Sequence, residues 1–322
     1  MIIYNKFMKG LNISMAKTAK KALRPGRRKE VLACYLLLLL PLIGFFVFNL
    51  YPLAWQIQKA FLRYNGVASH TKYVGLGNFI NIFTGNKNFW RSYLVTFQFA
   101  LIKVPIELTI AFILASILSK SFIKAKSFFR AVYYMPVLLS AVIIGVIYSN
   151  MFGYFGVVNS ILQKLHIISE PIDFFKDKWT TMTTLIGTHV WNNVGTNVLY
   201  FLAALANIPK DCYEAAYLDG ASGFTMTRKI TLPLMGPVLS TILLLSFLGT
   251  LGVGEFIYVT SNGAPAGSTT TVQMYMLNYL PGFSTGTIEI GYASALSFVI
   301  SIISIIASFS FRKLSTWLTT RA

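Results

Sequence analysis

Charge is scarce in this sequence. Only 12% of its 322 residues are Asp, Glu, Lys or Arg, where a soluble domain carries roughly 25%. There are two cysteines, Cys34 and Cys212, which excludes a disulfide framework, and neither has metal-ligand spacing. The three histidines, His70, His166 and His189, are scattered, and no metal site is expected. No Gly-x-x-x-x-Gly-Lys-Ser/Thr loop is present, so the chain has no phosphate cradle for a nucleotide. Nor is there a Gly-x-Ser-x-Gly elbow or a pair of carboxylates at catalytic spacing. An enzyme is therefore not expected, and no cofactor is expected in this chain. If ATP drives it, another subunit must bind ATP and Mg and hydrolyse it. No small-residue cleavage site follows the first apolar run, which reads as a retained anchor rather than a signal peptide.

Apolar surface is plentiful. Hydrophobic residues make up 55% of the chain and the mean hydropathy is +0.62. Six apolar stretches are long enough to cross a bilayer at about 1.5 Å per residue: residues 31–50, 92–118, 131–152, 181–206, 236–260 and 288–311. Tyr51-Pro52 is expected to end the first, Pro105 to kink the second, and Pro136 lies near the start of the third. A short surface helix is expected near residues 158–165, in the loop after the third. The resulting division is a basic arm over 1–30, a first transmembrane helix with its outer loop over 31–91, a core over 92–311 and a short tail over 312–322.

The net charge is +18, and its distribution points to a membrane surface rather than to nucleic acid. Of the 28 Lys and Arg residues, 19 fall in the N-terminal arm, residues 119–130, the polar stretch after the fourth span and the C-terminus. Eight fall in the three alternate loops. The positive-inside rule then places both termini in the cytoplasm. The fold class is all-α: a polytopic membrane protein of six transmembrane helices, N-in and C-in.

Residues 207–235 interrupt the apolar pattern with a polar island. Asp211 and Glu214, three residues apart, form a capping-box pattern, Gly220 suits a left-handed helix end, and Ser222 or Thr225 can start a second helix. Pro233 stops that helix or opens the next span. Within the island, Glu214-Ala215-Ala216, Asp219-Gly220-Ala221, Ile230 and Leu232-Pro233 resemble the EAA loop of ABC importer permeases. The resemblance extends over residues 30–312. It includes Tyr73-Val74-Gly75-Leu76-Gly77-Asn78-Phe79, Phe128-Phe129-Arg130, Met135-Pro136, Gly156-Val157-Val158-Asn159 and the turn Ser261-Asn262-Gly263-Ala264-Pro265. It is most similar to the first, maltose-type permease of carbohydrate importers. At Thr227, where that family often has an aromatic, this sequence departs from the pattern.

The resemblance implies a type I importer permease fold in a plasma membrane. It implies a second permease subunit, an ABC ATPase dimer and an extracytoplasmic sugar-binding protein as partners. Glu214, Ala215, Ala216, Asp219, Gly220, Ile230 and Pro233 would couple to the ATPase. By an ungapped count from the island, Ser246 matches a substrate-contacting serine of maltose-type permeases, and Asn193, Thr196, Gly249, Thr250 and Val253 fall at other contact positions.

The residues themselves point to the same spans. Trp191, Gly195, Thr196 and Asn197 form a candidate aromatic and amide surface suited to a sugar ring. Asn193 and Asn197 share a helical face, and Ser246, Gly249, Thr250 and Val253 recur at i, i+3, i+4 and i+7. Helix packing is the alternative for each small or hydroxyl residue. Lys103 and Glu107, four apart within the second span, read as a structural intramembrane pair or as a polar patch on the path. Glu255 lies within the fifth span or near its outer interface. Two further functions stay open: a permease for phosphate, amino acids or polyamines, and a channel or carrier that needs no ATPase.

Overall fold

A computed structural model describes residues 25–120, 123–284 and 286–321. Lys17, Lys20, Lys21 and Arg24 of the basic arm lie outside the described residues. The chain divides into two units after Gln58.

In the first unit, α1 (Pro25–Phe45) runs through a wide turn, Phe46–Leu50, into α2 (Tyr51–Ala60), which enters the second unit. Lys29–Ala60 is long and apolar enough to span a membrane. Tyr51-Pro52 does not end this helix, contrary to the sequence expectation. The Tyr51 amide donates to the carbonyl of Phe46, five residues back. That i to i−5 turn widens the helix where the proline ring would otherwise meet a carbonyl.

The second unit begins with a two-stranded antiparallel ribbon, β1 (Leu62–Arg63) and β2 (Lys72–Tyr73), with Leu62 opposite Tyr73. Asn78 fastens it, donating its amide to the carbonyls of Ala60 (2.8 Å) and Leu62 (3.1 Å). Helix α3 (Lys87–Ser119) is capped by Asn86, whose side chain accepts from the Phe89 amide, and runs unbroken past Pro105. Next come α4 (Lys126–Leu138) and α5 (Ala141–Met151), which meet at a 93° bend. The expected single third span is thus broken. Leu139 leaves the helix, and Ser140 restarts it by accepting from the Ile143 amide. The surface helix α6 (Val157–Lys164) lies close to its expected place. Asn159, within this helix, is buried and ties the loop together through the carbonyls of Tyr154 and Ile172.

Helix α7 (Lys178–Ala206) is capped by Asp177. The Thr180 side chain and amide hold the Asp177 carboxyl below its usual range. At 29 residues α7 is long enough to cross a bilayer, but its Thr, Asn and His residues lower its hydropathy. It is absent from the helices apolar enough to qualify, which are Lys29–Ala60, Lys87–Ser119 and Ile290–Ser310 among the described residues.

The island forms α8 (Lys210–Leu218) and α9 (Gly223–Leu234). A 77° bend leads from α9 into α10 (Gly236–Leu251). The expected fifth span splits at Gly252, because the chain leaves the helix there before α11 (Gly254–Ser261). Helix α12 (Val272–Leu277), which the sequence reading did not foresee, and α13 (Ile290–Arg321) complete the chain.

Among the described residues, the seam between α3 and α7 is the most extensive packing between two helices. Gly195 permits a close approach of α7 to α4, since a Cβ there would strike the Tyr133 carbonyl. Three apolar clusters stack along the unit. One joins α3, α7 and α10 around Phe201 and Met235, the second surrounds Phe99 and Ile257, and the third surrounds Phe89 and Leu296. Large apolar side chains also stay exposed, among them Ile106, Ile113 and Phe309 on helices of the second unit. Exposed apolar faces on long helices suit lipid as the solvent.

Candidate functional site: the island and the polar seam

Backbone hydrogen bonding sets the shape of the island. Helix α8 begins two residues earlier than the capping-box reading requires. Pro209 occupies the cap position and makes no side-chain cap bond, so Asp211 and Glu214 lie inside the helix. The expected capping box is therefore absent, and Glu214 remains exposed.

At the other end Asp219 is the cap and Gly220 has φ +74°. The Ala221 amide reaches the Ala216 carbonyl at 2.9 Å and the Gly220 amide reaches Tyr217 at 3.0 Å. This is a Schellman closure, and its left-handed residue favours glycine. Ser222, rather than Thr225, starts α9 by accepting from the Thr225 amide.

Pro233 neither stops α9 nor opens the next span. A second wide turn precedes it, in which the Leu232 amide donates to the carbonyl of Thr227, and the helix continues to Leu234. The two arms are joined side to side by the hydroxyls of Tyr213 and Thr231, 3.0 Å apart.

This framework turns Ala216 inward and leaves Glu214, Ala215, Asp219 and Gly220 outside. Ile230 is half-buried and Pro233 is exposed. Three residues that sequence reasoning did not single out stand around the Gly220 turn. Tyr217 is 75% exposed, Leu218 86% and Phe224 77%. Two aromatics and a leucine so far out of the core, on either side of one turn, give the island an exposed apolar knob. The signal was available in the sequence as apolar residues inside an otherwise polar island.

The second assembly lies where α3, α7 and α10 meet. Lys103 and Glu107 form an ion pair with side chains only 3% and 1% exposed. Asn197 of α7 donates to Glu107. Ser246 of α10 donates to the side-chain Oδ1 of Asn197 at 3.2 Å, and Lys103 reaches the Thr250 hydroxyl at 3.4 Å. Thr250 in turn donates to the Ser246 carbonyl at 2.7 Å. A buried charge pair is costly unless further hydrogen bonds support it, and Asn197 of α7 and Thr250 of α10 supply two here. Gly249, beside this network, is exposed, and a Cβ there would meet nothing within 4 Å.

Not all expected path residues gather here. Trp191 and Asn197 are six residues apart, which on a helix puts them about 120° from each other. Trp191 instead lines an apolar cavity of about 690 Å³ with Leu139 and Ile147, its ring edge-on to Tyr148. The expected aromatic and amide surface is thus divided between two faces of α7. Asn193 bonds back to the His189 carbonyl at 3.0 Å, and Thr196 is half-buried. Val253 is 2% exposed and belongs to an apolar cluster. The stripe it was expected to complete is cut where α10 ends. Glu255 is exposed.

Comparison with known proteins places this architecture. Residues 77–320 match the family described as binding-protein-dependent transport system inner membrane component. The chain is 32% identical over 269 residues to the lactose transport system permease protein LacF of Rhizobium radiobacter, covering 82% of this chain and 87% of that protein. It is 31% identical over 274 residues to the trehalose/maltose transport system permease protein MalF of Thermococcus litoralis, covering 84% and 90%. Its fold is similar to a chain in the crystal structure of a bacterial ABC transporter involved in the import of the acidic polysaccharide alginate. The TM-score there is 0.74 at 22% identity, over 90% of this chain and 97% of that one. A helical, multi-pass membrane chain that is a transport component and not itself an enzyme is what these matches describe, and this chain belongs to the binding-protein-dependent transport system inner membrane component family.

Proposed function

We propose that this chain is one of two permease subunits of an ATP-driven sugar importer of the plasma membrane, with an oligosaccharide as cargo. The observation that carries the coupling role is the braced island. Its apolar knob is exposed, its turn is closed by Gly220, and its arms are tied by Tyr213 and Thr231. A rigid peg of this kind suits docking into a separate ATPase subunit, which would hold the ATP and Mg for which this chain has no binding loop. Because α9 continues through its bend toward α10, a push on the island is delivered to the helix that carries Ser246, Gly249 and Thr250.

Support for a sugar comes from the relatives, whose names include lactose, trehalose/maltose and arabinooligosaccharide permeases. An extracytoplasmic binding protein would deliver the cargo, and the second permease would complete the path. Gly249 leaves open space beside the seam of α3, α7 and α10, where a solute would pass. Alternating access follows if closure of the ATPase dimer moves both islands together.

The test is co-purification with the products of neighbouring genes, followed by ATPase assays with a panel of oligosaccharides, amino acids, phosphate and polyamines. Stimulation by an oligosaccharide with its binding protein is expected. Stimulation by one of the other solutes alone would redirect the assignment of cargo. Transport by the chain without any ATPase subunit would overturn the coupling role.

A further inference from the structure

A cavity of about 520 Å³ opens among the C-terminal ends of α3 and α7, the start of α4 and both arms of the island. Four cations line it: Lys120, Lys126, Arg130 and Lys210. No carboxylate is among its lining residues. Tyr213, Thr227 and Thr231 also line it, as do the apolar Leu118, Leu202 and Leu205. Lys126 is held toward the end of α3 by its bond to the Ser119 carbonyl, at 3.2 Å. Lys126, Arg130 and Lys210 bring like charges to one cavity, where they repel, and an anion bound among them lowers that cost.

We propose that this cavity is a phosphate-ester site and that its occupant is the headgroup of an anionic phospholipid. The cations suit a phosphate, and the polar residues among them suit a glycerol. The apolar wall suits the first carbons of an acyl chain, and basic pockets between helices at the cytoplasmic interface are where such headgroups bind. The site shares Tyr213 and Thr231 with the brace of the island. An occupying headgroup therefore bears on the pair that fixes the peg. Naming the leaflet rests on the orientation in the proposed function. The binding does not, and ATPase stimulation plays no part in its readout, so either can fail without the other.

The experiment is native mass spectrometry of the complex purified in detergent, titrated with phosphatidylglycerol or with phosphatidylcholine. Wild-type protein is expected to retain phosphatidylglycerol about tenfold or more tightly. Arg130→Gln combined with Lys210→Gln should abolish that preference and leave phosphatidylcholine binding unchanged. Gly223→Trp tests the cavity without touching a charge, because Gly223 lines it and has open space at its Cβ position. That variant should also lose the preference. Competition with glycerol 3-phosphate separates the sources: failure to displace the lipid supports a lipid site, whereas displacement at similar concentration overturns the lipid in favour of a soluble ester. Equal binding of the two lipids by wild type, with no retention of glycerol 3-phosphate, overturns the site altogether. That comparison stands even if the variants do not assemble. An unchanged preference in both variants, each assembled, overturns it as well.

Discussion

The hydroxyls of Tyr213 and Thr231 lie 3.0 Å apart and join the two arms of the polar island. Thr231 sits in the wide turn that carries α9 past Pro233, so one contact joins the helix that begins the island to the helix that leads into the bend. Tyr213→Phe removes this bond and keeps the ring. A hydrogen bond of this kind is worth about 1 kcal/mol. The expected outcome is an approximately fivefold loss of cargo-stimulated ATPase activity in the reconstituted complex, with normal amounts of the protein in the membrane. Unchanged stimulation would show that the strut carries no motion.

Gly220 closes α8 at φ +74°. A β-branched side chain is strained in that conformation by about 1–2 kcal/mol, and the turn relieves the strain by changing shape. Gly220→Val should abolish uptake while membrane insertion, read by quantitative blotting of membrane fractions, stays at the wild-type level. Wild-type uptake in that variant would remove Gly220 from the coupling role.

The exposed knob gives a prediction of a different kind. Leu218→Asp and Phe224→Asp replace apolar groups that touch little within the chain, so folding should be unaffected. Recovery of the ATPase subunit on purification of the permease should fall at least tenfold. If the subunit co-purifies as before, the knob is not the docking surface.

Lys103 and Glu107 are buried together. Removing one partner strands a charge, at a cost of about 3–5 kcal/mol, whereas replacing both with apolar residues is often neutral. Glu107→Leu alone should lower the melting temperature of the purified complex well below that of the double variant Lys103→Met, Glu107→Leu. A single variant as stable as the double would mean the pair is not charge-compensated in the native protein.

How far the sequence foretold this molecule depended on the type of signal. Long apolar runs marked the three helices apolar enough to cross a membrane among the described residues and helices of the two bent pairs, because bilayer thickness imposes a minimum length that chance rarely supplies; the fourth run formed α7, which is long enough but not apolar enough to qualify. Their breaks were less legible. Pro52 and Pro233 read as helix ends, yet each follows a wide turn that moves the obstructing carbonyl aside. The bend at Leu139 and the stop at Gly252 lie inside apolar runs and left no change in composition. Lys103 and Glu107 could be paired from their spacing alone. That Asn197, Ser246 and Thr250 complete their network depends on how three helices pack, and spacing within one helix carries no information about that. For the same reason Trp191 was grouped with Asn197 although helical geometry turns the two apart.

Accessibility of Glu214 tests the account most directly. With Cys34 and Cys212 replaced by Ser, Glu214→Cys provides a single thiol on an exposed position of α8. A membrane-impermeant maleimide should label it in inside-out vesicles and not in intact cells, and co-expression of the ATPase subunit should protect it. Labelling from outside intact cells would contradict the account, because a peg on that face cannot meet an ATPase.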